Sequence, residues 1–316
     1  MLGISGYSGV NYSPSQLEKA SQAINHRRPD GAGIYLHENV GLADRRLSIL
    51  ELSDLGAQPY YFGNLILTFN GELYNYKDVR VMLEKEGYSF ISNSDTEVLI
   101  KAFHCWGVKG IRHFIGMFAF AIYDKQIKTM YLFRDRLGVK PLYYTLENGL
   151  AFSSELKGLT YFFKDQSLNE ESVFEYFELG YIRGEKFIYS AAKKLQPGHF
   201  MVYSNGQATI NPYWELQVDS DSKHLSQEEW KEKLHVLMTD AFNLRMVSDV
   251  PVGVFLSGGV DSSLVTAILQ RSHGNIHLFT IGFYGQVSIC HTDQTYCHYT
   301  WGLFALLLYK DCFKMV

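Results

Sequence analysis

The chain has 316 residues, 47% of them apolar, which is enough for two ordinary domains with proper cores. Its formal net charge is −4 and it carries no Lys/Arg run, so neither nucleic acid nor an anionic membrane surface is an expected partner. No segment reaches the ~20 apolar residues of a membrane span and no secretory signal pattern opens the chain. The four cysteines, Cys105, Cys290, Cys297 and Cys312, lack paired metal spacing. A reduced, cytoplasmic setting follows as the expectation.

In chain order, Ser13-Pro14 ahead of Leu17, Ala20 and Ile24 predicts a helix with a serine cap and a proline in its first turn. Residues 117–124 and 130–133 are rich in apolar and aromatic side chains. Joined through Lys125-Gln126, they read as a hairpin of buried strands. Asn148-Gly149 marks a second hairpin, between Leu142-Tyr143-Tyr144 and Leu150-Ala151-Phe152. Residues 1–212 therefore read as one compact α+β layer domain.

The polar stretch 217–229 reads as a linker. Behind it, Leu234, Leu237, Met238, Ala241 and Phe242 recur at helical spacing within 230–246. An apolar strand (250–256), a Ser/Gly turn, a helix (263–270) and a second strand (276–283) then form the opening βαβ of a parallel sheet. The turn is Ser257-Gly258-Gly259-Val260-Asp261-Ser262. Its glycines let backbone N–H groups approach an anion, and the helix N-terminus adds partial positive charge, so it reads as a phosphate cradle. It is not a Walker A loop, because no Gly-x4-Gly-Lys-Ser/Thr occurs. It resembles the pyrophosphate loop of enzymes that split ATP into AMP and pyrophosphate, which points to acyl-adenylate chemistry. Asp261 is then placed to hold Mg2+, and Leu256 and Ile281, at the ends of adjacent parallel strands, to flank the adenine. After Phe283 the pattern changes. Residues 284–316 hold three of the four cysteines and no clean period, so the second domain, spanning 226–316, reads as unfinished.

Taken together, the segments resemble the glutamine-hydrolysing asparagine synthetases. The resemblance rests on Met1-Leu2-Gly3-Ile4-Ser5-Gly6, His26-Arg27-Arg28-Pro29-Asp30-Gly31, Arg46-Leu47-Ser48-Ile49 and Asn70-Gly71-Glu72-Leu73-Tyr74-Asn75. Ser94-Asp95-Thr96-Glu97, Gly116-Met117-Phe118-Ala119-Phe120-Ala121, Arg134-Asp135, Lys140-Pro141-Leu142-Tyr143 and the stretch from Ser248-Asp249-Val250-Pro251 to Ser262 continue it in family order. The family implies an αββα N-terminal-nucleophile glutaminase domain followed by an α/β pyrophosphate-loop domain, here truncated. It further implies ATP- and Mg2+-dependent amidation of aspartate with nitrogen from glutamine, and a homodimer is compatible with it. By that resemblance Arg46, Ile49, Asn70, Glu72 and Asp95 would bind glutamine, with Asn70 and Gly71 forming the oxyanion hole. Leu256, Ser257, Gly258, Gly259, Asp261, Ser262 and Ile281 would bind ATP.

Plainer readings stay open beside these roles. Arg45-Arg46 also fits a solvated pair, Asn70-Gly71 a hairpin turn, and Ser94-x-x-Glu97 a capping box that leaves Asp95 to face the ligand. The family nucleophile is a cysteine at position 2, and this chain has Leu2, which has no lone pair to deliver. Arg28 stands where the family has glycine, and Asp44 where it has histidine. The family also continues past Phe283 to further adenylate-binding residues, so a truncated or frame-shifted second domain and an impaired activity are expected. Two alternatives remain: another adenylating relative, such as a β-lactam synthetase or a polysaccharide-modifying amidotransferase, and a non-catalytic glutamine-binding protein.

Overall fold

The structure, a computed structural model, describes residues 3–27, 31–218 and 225–280. Leu2, Arg28 and Ile281 lie outside the described residues. The chain falls into two compact units, Met1–Val218 and Asp219–Val316.

The first unit is built on two six-stranded antiparallel sheets. Its strands are β1 (Gly3–Ser8), β2 (Gly31–His37), β3 (Val40–Arg46), β4 (Tyr60–Phe62), β5 (Leu65–Leu73), β6 (Gly116–Asp124), β7 (Thr129–Arg134), β8 (Tyr143–Thr145), β9 (Leu150–Ser153), β10 (Lys193–Lys194), β11 (His199–Ser204) and β12 (Gln207–Pro212). One sheet runs β10-β8-β9-β1-β3-β2 and the other β12-β11-β7-β6-β5-β4. Both expected hairpins are present, as β6–β7 and β8–β9, the latter turning through Gly149 at φ 113°, where glycine carries no side-chain penalty.

The central strands β1, β5, β6 and β9 are buried on both faces, whereas β2 and β12 at the sheet edges are largely exposed. Between the sheets, Ile4, Leu42, Ile66, Ala121, Leu132 and Phe152 form the central core. On the outer face of the first sheet, α1 (Pro14–Ala23) buries Leu17 and Ala20 against Tyr7, Ala43 and Ala151. Ser13 caps α1 in a reciprocal box with Gln16, and Pro14 opens the helix as expected. The second sheet is followed through β5 by α2 (Tyr76–Lys85) and is packed by α3 (Asp95–Trp106), whose Phe103 meets Tyr131 and Phe133 edge-on. The result is the αββα layering that the resemblance leads one to expect. Two short helices, α4 (Leu156–Leu159) and α5 (Glu170–Leu179), follow β9.

In the second unit, α6 (Gln227–Leu244) starts inside the expected linker, because Ser226 and Glu229 form a capping box there. Among the described residues Leu234 and Leu237 are exposed, while Met238, Ala241 and Phe242 are half-buried. Only β13 (Gly253–Phe255) forms from the apolar run 250–256. Pro251 lacks an N–H, and Ser248 and Val250 close a local turn just ahead of it. β13 pairs in parallel with β14 (His277–Phe279), and α7 (Val260–His273) connects them, longer at both ends than expected.

One carboxylate holds the loop behind β7. Asp135, 1% exposed, accepts the backbone N–H groups of Phe118, Leu137, Val139 and Lys140 at 2.9–3.1 Å. Asp135→Ala leaves those donors without their acceptor. Since a hydrogen bond to a charged group contributes about 1.5–3 kcal/mol, the expected loss of stability in urea unfolding is about 3 kcal/mol or more.

Candidate functional site

Strand β5 supplies an edge whose donors alternate. The N–H groups of Phe69 and Leu73 point away from β6, to Gln58 Oε1 at 2.6 Å and Asp95 Oδ2 at 3.0 Å. Gly71 lies midway between them, so the two-residue period of a strand aims its N–H along the same edge. Its partner across the ladder agrees. Gly71 faces Phe118, whose own N–H and carbonyl are both spent on Asp135 on the other side. Glycine is required there, because a Cβ would stand 2.2 Å from Met117 O. Asn70-Gly71 is therefore interior strand, and the hairpin-turn reading falls.

Around this edge a single cavity of about 30 Å³ is lined by Arg46, Ile49, Gly71, Glu72 and Asp95, together with Gly56, Gln58 and Thr96. Four elements deliver these groups: the end of β3, the strap that follows it, β5, and the first turn of α3. Neither arginine is a solvated one. Arg45 Nε donates to Ser21 O and Oγ at 3.0 and 2.9 Å, and Arg46 donates to the carbonyls of Glu51 and Ser53, the latter at 3.0 Å.

Asn70 sits apart from the cavity wall. It is fully buried between the sheets and donates through Nδ2 to Ser154 Oγ at 3.2 Å, while Ser154 Oγ also accepts from Ile4 N–H at 3.0 Å. Its Oδ1 is buried with no partner among the described residues.

The capping-box expectation for α3 needs correction. Ser94 caps through Thr96 N, but Glu97 turns away to accept from Ile91 N, Ser92 N and Ser92 Oγ and to pair with Lys101. A box needs the Glu side chain to reach back to the Ser94 N–H, which is instead bonded to Ser92 Oγ at 3.2 Å. Asp95 does face the cavity.

Electrostatically the site is poised for a cation. Burial pushes the Asp95 carboxyl up to about 7, with the nearby Glu72 carboxylate adding to the rise, opposed by the Leu73 and Thr96 N–H bonds. Burial also raises Glu72, which Lys140 partly offsets, and burial lowers Lys140 itself. Asp44, where histidine was expected, is 1% exposed in β3 opposite Ile4.

In the second unit, Leu256 through Ser262 form one loop between β13 and α7. Leu256 is buried, with its N–H on Phe279 O at 2.8 Å. Gly258 adopts φ 82°, and Ser257 N–H bonds to Ser262 Oγ, which returns to Gly259 O at 3.2 Å. A Cβ on Gly259 would meet only Ser257 Oγ at 3.6 Å. Among the described residues open space lies there, next to a helix start without a side-chain cap. No group of three metal-ligating side chains exists among the described residues, so Asp261 stands as a single carboxylate.

Sequence reasoning did not single out Gly56, Gln58, Thr96, Ser154 or Lys140. Only Gln58, a polar residue wedged before Pro59 in an apolar stretch, left a readable signal.

Comparison with known proteins places this geometry. Residues 1–214 match the glutamine amidotransferase domain family and residues 233–296 the asparagine synthase family. The chain is 36% identical to the putative asparagine synthetase (glutamine-hydrolyzing) 2 of Methanocaldococcus jannaschii, over 90% of this chain and 60% of that protein. It is also 36% identical to asparagine synthetase (glutamine-hydrolyzing) 1 of Bacillus subtilis, over 84% of this chain and 42% of that protein. The chain thus spans about half the length of the curated relatives it matches. Among solved structures it is similar in fold to the glutamine phosphoribosylpyrophosphate amidotransferase from B. subtilis complexed with ADP and GMP. The TM-score is 0.52 at 18% identity, over 91% of this chain and 68% of that one. With most of its length matched to the first of these, the chain belongs to the glutamine amidotransferase domain family, and the part behind it is similar to part of the asparagine synthase family.

Proposed function

We propose that the first unit binds L-glutamine without hydrolysing it, and that the second unit carries the pyrophosphate end of an ATP site, which in the family serves the amidation of aspartate. One observation carries the reading: Arg46, Ile49, Gly71, Glu72 and Asp95, spread along the first unit, line a single cavity. An α-carboxylate would meet the planar guanidinium of Arg46, and the ammonium would meet Glu72 and Asp95. The side-chain amide would then lie along the β5 edge, where the Gly71 N–H is the donor for an oxyanion, Asn70 being turned inward to Ser154. Hydrolysis fails for a chemical reason. Leu2 stands where the family has its nucleophile and offers hydrocarbon only.

For the second unit, the space above Gly259 and the uncapped first turn of α7 fit a phosphate group. A single carboxylate at Asp261 suits Mg2+, which takes most of its ligands from phosphate and water. ATP with Mg2+, when bound, supplies an electrophilic phosphorus for carboxylate activation. Ser257, Gly258, Gly259 and Ser262 would orient the phosphates, and Leu256 would pack beside the base.

Calorimetric titration with L-glutamine is expected to show binding, and a coupled ammonia assay to show release at background. Family-like ammonia release would refute the proposal. Arg46→Ala removes a charge-assisted pair of about 1.5–3 kcal/mol and is expected to weaken glutamine binding by about one to two orders of magnitude.

Asp95 gives this binding a pH dependence. Its carboxyl is protonated below about 7 in the free protein, whereas the ligand ammonium needs the carboxylate. Affinity should therefore rise from pH 5 to 8 and protons be released on binding, seen as a buffer-dependent heat, with Asp95→Asn flattening the profile. The stability sign is opposite. A raised carboxyl contributes fully below its ordinary range and loses that contribution as pH rises through about 7. Free Asp95→Asn protein should thus gain in Tm over the parent above pH 7, and the gain should shrink toward pH 4.

Gly259→Val puts a branched side chain into that space, where a Cβ meets only Ser257 Oγ at 3.6 Å among the described residues. It is expected to weaken ATP binding at least tenfold while far-ultraviolet circular dichroism stays unchanged; undiminished ATP binding would place the phosphate elsewhere.

A further inference from the structure

The Arg46 guanidinium is oriented by hydrogen bonds to backbone carbonyls. Its described partners are the backbone carbonyls of Glu51 and Ser53, on the strap that crosses from β3 to β4. The carbonyls fix its plane, while the Glu51 carboxylate, whose carboxyl the Arg46 charge helps to hold low, makes its own hydrogen bonds to Ser53 and Asn93. Two features hold the carbonyls in place. Glu51 takes φ 53°, and its side chain accepts from Ser53 Oγ at 2.5 Å and, across the cavity mouth, from Asn93 N–H at 3.1 Å. Gly56, buried, lies directly against the guanidinium: a Cβ there would stand 2.4 Å from Arg46 Nη2 and 3.1 Å from Cζ.

We infer that Gly56 is the positioning residue of the site. It leaves the space in which the strap seats the Arg46 guanidinium, and so sets the preference for a ligand bearing an α-carboxylate. This rests on the glutamine reading above. Gly56 has no positive φ; the nearest atom is the far end of the flexible Arg46 side chain, and the Glu51 carbonyl oxygen at 3.0 Å would have to give by only a few tenths of an ångström. Alanine would therefore turn the guanidinium out and leave the fold standing.

The test compares the parent, Gly56→Ala and Arg46→Ala with two probes, L-glutamine and its α-amide, by calorimetry. Nitrogen NMR of the arginine Nη groups reports independently whether the guanidinium is restrained, with the Arg46 signals identified by their loss in Arg46→Ala. The parent should show restrained Arg46 signals and prefer glutamine over the α-amide by about tenfold or more. Gly56→Ala should average those signals and lose the preference to the level of Arg46→Ala, with Tm near the parent's. If Gly56→Ala does not fold, Glu51→Gly carries the test: it cuts both strap anchors at a left-handed position that glycine accepts, and it too should average the signals. Restrained signals and an unchanged preference in Gly56→Ala, or in Glu51→Gly where that variant replaces it, would overturn the seat while leaving the glutamine reading intact. Averaging with no glutamine binding by any protein, the parent included, would uphold the seat and overturn the glutamine reading.

Discussion

Two carboxylates share the low-dielectric pocket beside β5, and among the described residues no cation forms a salt bridge with Asp95. Its burial is offset in part by the Leu73 N–H, yet its carboxyl remains pushed up to about 7. Such a group is costly unless a ligand brings the missing positive charge. Much of the surrounding structure keeps that arrangement dry and in register. Ser94 caps the helix that presents Asp95, and Glu97 with Lys101 ties the preceding loop to the same helix. Gln58 takes the neighbouring strand donor. The opposite wall ends in a guanidinium held by carbonyls. A zwitterionic α-amino acid complements that charge pattern.

Position along β5 decides what each residue can do. Even-numbered positions point between the sheets, so Asn70 is drawn inward to Ser154, the residue that also receives the Ile4 N–H beside the chain's first strand. Odd-numbered donors face the open edge, so Gly71 looks toward the cavity. One strand thereby divides its work: Gly71 offers a backbone donor to the pocket, while Asn70 links the two sheets immediately beneath it. Among the described residues the Oδ1 of Asn70 has no partner at that junction, two residues before Glu72.

Much of this was legible in the residues. Helix α1 announced itself through Ser13-Pro14 and its apolar period, and the two hairpins through their turns. The segments that line the cavity were picked out through the family resemblance they carry, not through local pattern. What local pattern could not tell was which strand edge stays unpaired, since that depends on the β5–β6 register and on Asp135 taking the Phe118 groups from the far side. The capping-box reading failed for a related reason. Ser-x-x-Glu spacing is satisfied at both Ser94 and Ser226, yet a nearby Ser92 and Lys101 compete for Glu97, whereas nothing competes for the exposed Glu229. The strand expected over 250–256 shrank because Pro251 removed a ladder donor, a rule visible in the sequence but outweighed by its apolar run.

Gly56 illustrates a kind of residue that sequence pattern conceals. It is not in a turn that demands positive φ, and it makes no side-chain contact by definition. Its value lies in what it leaves open for a neighbour ten residues earlier in the chain. Gly259 has the same character in the second unit, where the space a Cβ would take is bounded by a single serine hydroxyl. In one case the chain's own guanidinium fills the space, and in the other it stays open above a helix start. The two glycines thus stand at the two places where the chain would meet charged ligand groups, a carboxylate through Arg46 and a phosphate through backbone N–H groups. Adding a methyl group at either would interfere with recognition well before it interfered with folding.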